Sequence, residues 1–195
     1  MQINIGRKSA VIIGAFILLA AGVLSLAINK SDDTDMGGMS GHSDHMSTGT
    51  SANYTGADIM FLQMMIPHHQ QAIDISNLAL KVSKDPELKA LAQSIATAQA
   101  AEIIQMKAWL KDAGASEDPG HSMDGMGGML SDADLAALKA ATGKQFDILW
   151  LTGMTGHHDG AIYMTMMIED ANNLEIKAFG KNVVNVQSAE IKQMK

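Results

Sequence analysis

Cysteine is absent from this chain, and with it go disulfides, thiolate zinc sites, iron–sulfur clusters and a cysteine nucleophile. The soft sulfur ligands that remain are thioethers. Aromatic residues make up 4% of the 195 positions and prolines number 3, so little in the composition favours strands or breaks helices. One mostly helical domain with a core of Ala, Leu, Ile and Met is expected. Positive charge is scarce too: 14 Lys and Arg face 21 Asp and Glu, and Arg7, Lys8 and Lys30 fall in the first 30 residues, where there is no acid. The remainder, residues 31–195, therefore holds 11 basic and 21 acidic residues, a balance of −10, which argues against nucleic acid as a partner.

Methionine, by contrast, is abundant, and every histidine keeps company with it. Met65-Ile66-Pro67-His68-His69-Gln70-Gln71-Ala72-Ile73 returns as Met154-Thr155-Gly156-His157-His158-Asp159-Gly160-Ala161-Ile162, an offset of 89 residues. Gln99, Glu102 and Met106 return as Gln187, Glu190 and Met194 at an offset of 88. The chain thus carries two copies of one unit.

Arg7 and Lys8 precede an apolar run over residues 10–28 in which Ser25 is the polar exception. Its length approaches the ~20 residues that span a bilayer, so residues 1–30 read as a membrane anchor or a cleaved signal segment. Basic residues before the run and Asp32, Asp33 and Asp35 after it place the body outside the cytoplasm. Residues 31–56 lack apolar periodicity and read as a disordered tether carrying Met36, Met39, His42, His45 and Met46. A similar tract between the units carries His121, Met123, Met126 and Met129.

Helical stripes follow. Phe61, Met65, His68, Ala72, Ile75 and Ala79 share one face. Asp85-Pro86 caps a second helix whose stripe runs Leu88, Leu91, Ile95, Gln99, Glu102, Met106 and Leu110. Pro67, and Gly156 in the second copy, predict a kink or local opening just before each doublet. Ser131 opens a short helix that Gly143 closes, a third long helix is expected over about 144–170, and Asn173 caps the last, with Ile176, Phe179, Val183, Gln187, Glu190 and Met194 on its stripe. Four long helices in two hairpins make an antiparallel four-helix bundle over residues 57–195, with repeat 1 at about 57–111, a Met-rich linker at 112–130 and repeat 2 at about 131–195. The last helix ends about a turn earlier than its counterpart, and a homodimer through it is one possible assembly.

Adjacent histidines point about 100 degrees apart on a helix, so each doublet needs partners: Met65 with Met106 or Glu102 in the first unit, Met154 with Met194 or Glu190 in the second. Thioether with imidazole selects copper, Cu(I) above all, and silver by the same logic; Cu(II) would lean on imidazole and carboxylate. Met60, Met164, Met166 and Met167 read as core filler. Buried Glu102 and Glu190 each require a cation, a donor or a metal to face.

The doubled Met-x-x-His-His-x-x-Ala-Ile pattern, each copy followed by Glu-x-x-x-Met, resembles the family catalogued as domain of unknown function 305. The resemblance covers about residues 58–195. It implies a secreted or anchored bacterial protein with a ferritin-like fold, and copper binding in the periplasm. The family's ligand positions would fall on Met65, His68, His69, Glu102 and Met106, and on Met154, His157, His158, Glu190 and Met194. Thr155-Gly156 in place of Ile66-Pro67 sets the halves apart. The reading that results is a non-enzymatic protein that sequesters Cu(I) or passes it to a copper exporter or another periplasmic copper protein. A metal-free interaction or sensor module is the alternative. A di-metal oxidase is disfavoured, because such bundles use Glu-x-x-His pairs and no histidine here has a glutamate three residues before it.

Overall fold

The computed structural model describes residues 53–120 and 126–195. The apolar run at 10–28 lies outside them, as do Met36, Met39, His42, His45, Met46, His121 and Met123. Every regular element described is helical: α1 (Gly56–Val82), α2 (Pro86–Asp112), α3 (Asp132–Ala140), α4 (Gly143–Met164), a 3-10 turn (Thr165–Ile168) and α5 (Leu174–Met194). None of these helices is long and apolar enough to cross a membrane.

Side-chain caps set the starts. Thr55 and Asp58 form a reciprocal capping box on α1, and Ser131 and Asp134 form another on α3. Asp85 accepts from the backbone N–H groups of Glu87 and Leu88 at 2.8 and 3.1 Å, and Asn173 accepts from Glu175 and Ile176 at 3.0 and 3.2 Å. Each satisfies donors that the first helical turn would otherwise leave open.

Two sequence expectations give way here. α1 runs through Pro67 and α4 through Gly156 with no opening of the helix, because tertiary packing along a long helix outweighs one lost hydrogen bond. The helix expected to reach about residue 170 instead ends at Met164 and tightens into the 3-10 turn, where the Thr165 hydroxyl donates to the Ile162 carbonyl at 2.7 Å. Of the methionines expected in the core, Met164 is buried and Met167 packs against it, but Met60 and Met166 are exposed.

The hairpins α1–α2 and α4–α5 meet through α1 and α4, which run antiparallel: Trp150 donates its indole N–H to the Ile75 carbonyl at 3.1 Å, and seven residues away on each helix His68 faces His157. Two apolar clusters result. One contains Phe61, Met65, Met106, Met164, Ile176 and Val183; the other contains Trp150, Met154, Met194, Ile75, Leu88 and Ile95. Each is the image of the other under the sequence repeat, since Phe61 corresponds to Trp150, Met65 to Met154 and Ile75 to Met164. Both doublets lie where the clusters meet.

Candidate metal centre

The spacing that puts Phe61, Met65, His68 and Ala72 on one stripe drives His68 inward together with the core, and the repeat does the same for His157. All four doublet histidines are fully buried, at 0% exposure. The rings of His68 and His157 lie against each other with centroids 3.7 Å apart and planes tilted by 39°. His69 and His158 turn away from this pair, toward the second helix of their own hairpins. His69 Nε2 donates to Glu102 Oε2 at 2.8 Å, and His158 Nε2 donates to Glu190 Oε2 at 2.7 Å. The carboxylates expected to need a donor have one.

These bonds decide the tautomers. A carboxylate or a carbonyl oxygen accepts, so Nε2 carries the proton in His69, in His158, and in His68, which donates to the Gly127 carbonyl at 3.3 Å. The lone pair is then on Nδ1. In all four histidines Nδ1 is buried without a partner, and His157 Nε2 is unpartnered as well. The side-chain oxygens of Gln99 and Gln187, nearly fully buried, are orphaned too. Leaving one such group unpaired costs about 1–3 kcal/mol, so five orphaned ring nitrogens in two facing doublets are a strong departure from a normal core. Burial first, then the neighbouring His69, pushes the His68 imidazole down to about 3, against the opposing pull of the Gly127 carbonyl. Burial, then His68 and His158, holds His157 well below the usual histidine range. Both are therefore neutral near pH 7, with lone pairs ready to donate.

The sequence places a separate site in each hairpin, whereas the structure joins the doublets across the repeat axis into one layer of four imidazoles. Met65 and Met106 are buried in the cluster on one side of that layer, Met154 and Met194 in the cluster on the other. The Met194 sulfur accepts from the Thr155 hydroxyl at 3.8 Å. Glu102 and Glu190 sit behind His69 and His158 and orient them. Among the described residues no three His, Asp or Glu side chains form a cluster that could hold a metal ion. The donors left without partners are imidazole nitrogens, and the flanking clusters hold thioethers, a set whose softness suits a soft ion.

A further part of the layer escaped sequence reasoning. Met126-Gly127-Gly128-Met129, expected to belong to an open metal-capturing loop, is a tight turn, with Met129 N–H donating to the Met126 carbonyl at 3.2 Å and Gly128 at φ 86°. A positive φ at the third position is what a type II turn requires. Met126 is buried and Met129 packs beside it against the Phe61 cluster. Residues 126–130 form a strap over α4. A Cβ on Gly128 would lie 2.6 Å from the Gly156 carbonyl oxygen, and one on Gly160 would strike Gly127. Gln71 holds the far end: its amide N–H donates to the Leu130 carbonyl at 3.0 Å and its oxygen accepts from Leu130 N–H at 2.8 Å. The available signal was the divergence of the copies, Gln71 in one and Gly160 in the other.

Solved structures share this architecture. A DUF305 fragment from Deinococcus radiodurans is 32% identical with a TM-score of 0.67, covering 72% of this chain and 93% of that one. A DUF305 protein of Streptomyces coelicolor, described as secreted, is 32% identical with a TM-score of 0.66, covering 71% and 88%. CopM in its Cu(I)-bound form is 35% identical with a TM-score of 0.60, covering 72% and 93%. CopM is also known in Cu(II)-bound, Ag-bound and apo forms. No curated protein matches the sequence. Residues 58–195 match the family model described as a domain of unknown function, and the chain belongs to that family, DUF305.

Proposed function

We propose that this protein binds copper outside the cytoplasm, as Cu(I) and by the same chemistry Ag(I), and sequesters or transfers it without catalysis. The observation that carries this reading is the buried layer of His68, His69, His157 and His158, whose ring nitrogens lack partners and whose flanking cores supply Met65 and Met154. The likeness to CopM, whose structures hold Cu(I), Cu(II) and Ag, supports it. In this reading the Nδ1 lone pairs and the thioethers are the ligands, and Glu102 and Glu190 fix the ligating tautomer. The body is a ferritin-like four-helix bundle, residues 10–28 tie it to or carry it across the membrane, and the ions pass to a copper exporter or another extracytoplasmic copper protein.

Anaerobic titration of the full chain in mild detergent with Cu(I), against a chromophoric competitor and with native mass spectrometry, tests it. Cu(I) should be drawn from the competitor, and the tightest ions should be lost when His68, His69, His157 and His158 are all changed to Ala in a variant whose circular dichroism remains helical. A variant that matched the parent would move the binding to the Met/His tracts. A parent that bound nothing would leave the interaction module as the better reading.

A further inference from the structure

We infer that the strap at residues 126–130 is a displaceable cover on the histidine layer, and that a metal ion reaches His68 and His157 only when the strap lifts from α4. The inference rests on the copper reading and adds a path and a rate to it.

Three contacts hold the strap closed, and they differ in kind. The Gly127 carbonyl takes the Nε2 proton of His68. Gln71 clamps both backbone groups of Leu130. Gly127 and Gly128 lie in backbone contact with Gly156 and Gly160, so close that a side chain at Gly128 or Gly160 has no room. The layer beneath is sealed, since all four histidines have no exposed surface. An ion cannot reach a group with zero accessibility without some element moving, and among the described residues the strap is the non-helical segment in hydrogen-bond contact with the layer, the other contacts coming from Glu102 and Glu190 on the long helices. It is also a small element to move: besides these contacts Met126 is buried in one apolar cluster and Met129 and Leu130 pack at the cluster edges, whereas each long helix contributes several residues to both clusters. The strap carries thioethers at both ends of its turn, Met126 and Met129. Lifting it brings the thioethers of Met126 and Met129 to the mouth of the opening and removes the carbonyl that holds the proton on His68 Nε2, so the ring is free to turn its Nδ1 lone pair, or to shift tautomer, toward a soft cation arriving from sulfur.

The absence of cysteine allows a clean trap. A Cβ at Gly153 would lie 3.4 Å from Leu130 Cγ, the place that the sulfur of Leu130→Cys would take, which suits a disulfide to Gly153→Cys. The full chain carrying L130C and G153C, oxidised, is compared with the parent and with L130S/G153S, using Ag(I) as the probe so that no reductant is needed. Uptake is followed by stopped-flow fluorescence of Trp150 and by the imidazole resonances of His68 and His157. The locked protein should load at least tenfold more slowly than the serine variant. Separately, Gln71→Ala should raise the on-rate and the off-rate together, by about fivefold or more, with little change in Kd. Equal loading rates for locked and serine forms would overturn the cover while leaving the copper reading intact. Failure of the parent to shift the His68 and His157 resonances with Ag(I) would overturn both.

Discussion

Acid should destabilise this protein through its central histidines before its carboxylates titrate. His68 is held near 3 by burial and by His69, and His157 is held well below its ordinary value by burial and by His68 and His158. In the unfolded chain both return to about 6.5. Between those limits the unfolded state binds more protons than the folded state, so the stabilising neutral form is fully populated above pH 6.5 and its contribution is lost as pH falls toward 3. From pH 7.5 to 5.5 each such histidine removes about 1.4 kcal/mol, and the two together nearly twice that. Against a total of about 5–15 kcal/mol for an ordinary domain this is a large loss. Urea unfolding of the metal-free protein at the two pH values, followed by far-UV circular dichroism, measures it. His157→Gln should cut the pH difference by about half, because glutamine cannot take up a proton. A stability independent of pH over that interval, or an equal pH difference in His157→Gln, would refute the assignment of buried neutral imidazoles.

Other perturbations probe separate parts of the argument. Gly160→Ala drives a methyl group into Gly127 and should cost about 1–3 kcal/mol, measured as a lowered urea midpoint; an unchanged midpoint would mean that the strap does not lie on α4. Trp150→Phe removes the indole donor to the Ile75 carbonyl in the α1–α4 contact; that carbonyl keeps its helical bond within α1, so the lost hydrogen bond should cost about 0.5–1.5 kcal/mol, read from the same curves. Glu102→Gln keeps the size of the side chain but removes its charge, so the His69 tautomer is no longer enforced. Cu(I) affinity should fall about 10- to 100-fold with the fold intact, and an unaltered competitor titration would argue that Glu102 takes no part in setting the ligand.

Much of the fold was legible because its signals are local. The Asp85, Ser131 and Asn173 caps fall at the positions read from sequence, since a cap acts on N–H groups two and three residues away; the Thr55 cap of α1 was not read. The 3.6-residue period showed which face of α1, α2 and α5 is buried, and His68 was correctly placed on it. Periodicity gives a face but not the residue opposite, and so the meeting of His68 with His157 was hidden. That contact depends on the register of α1 against α4, which is set by the packing of both apolar clusters. The strap was hidden for a related reason: its glycines resembled those of a polar tether, and their fit to Gly156 and Gly160 exists only after α4 is in place. The local opening read from Pro67 does not occur, a local penalty overridden by a helix packed along its whole length.

The repeat axis runs between His68 and His157, and this bears on why the two halves share one chain. Were two identical hairpins to pair about such an axis, position 71 of each would hold the same residue, and any strap over one half would need its twin over the other. Here position 71 carries the glutamine that grips Leu130, while its counterpart, position 160, carries the glycine that lets Gly127 come close. No single side chain does both jobs. Fusing the hairpins releases the two positions from identity, so that a nearly symmetric set of imidazoles has one side that opens and one that stays shut.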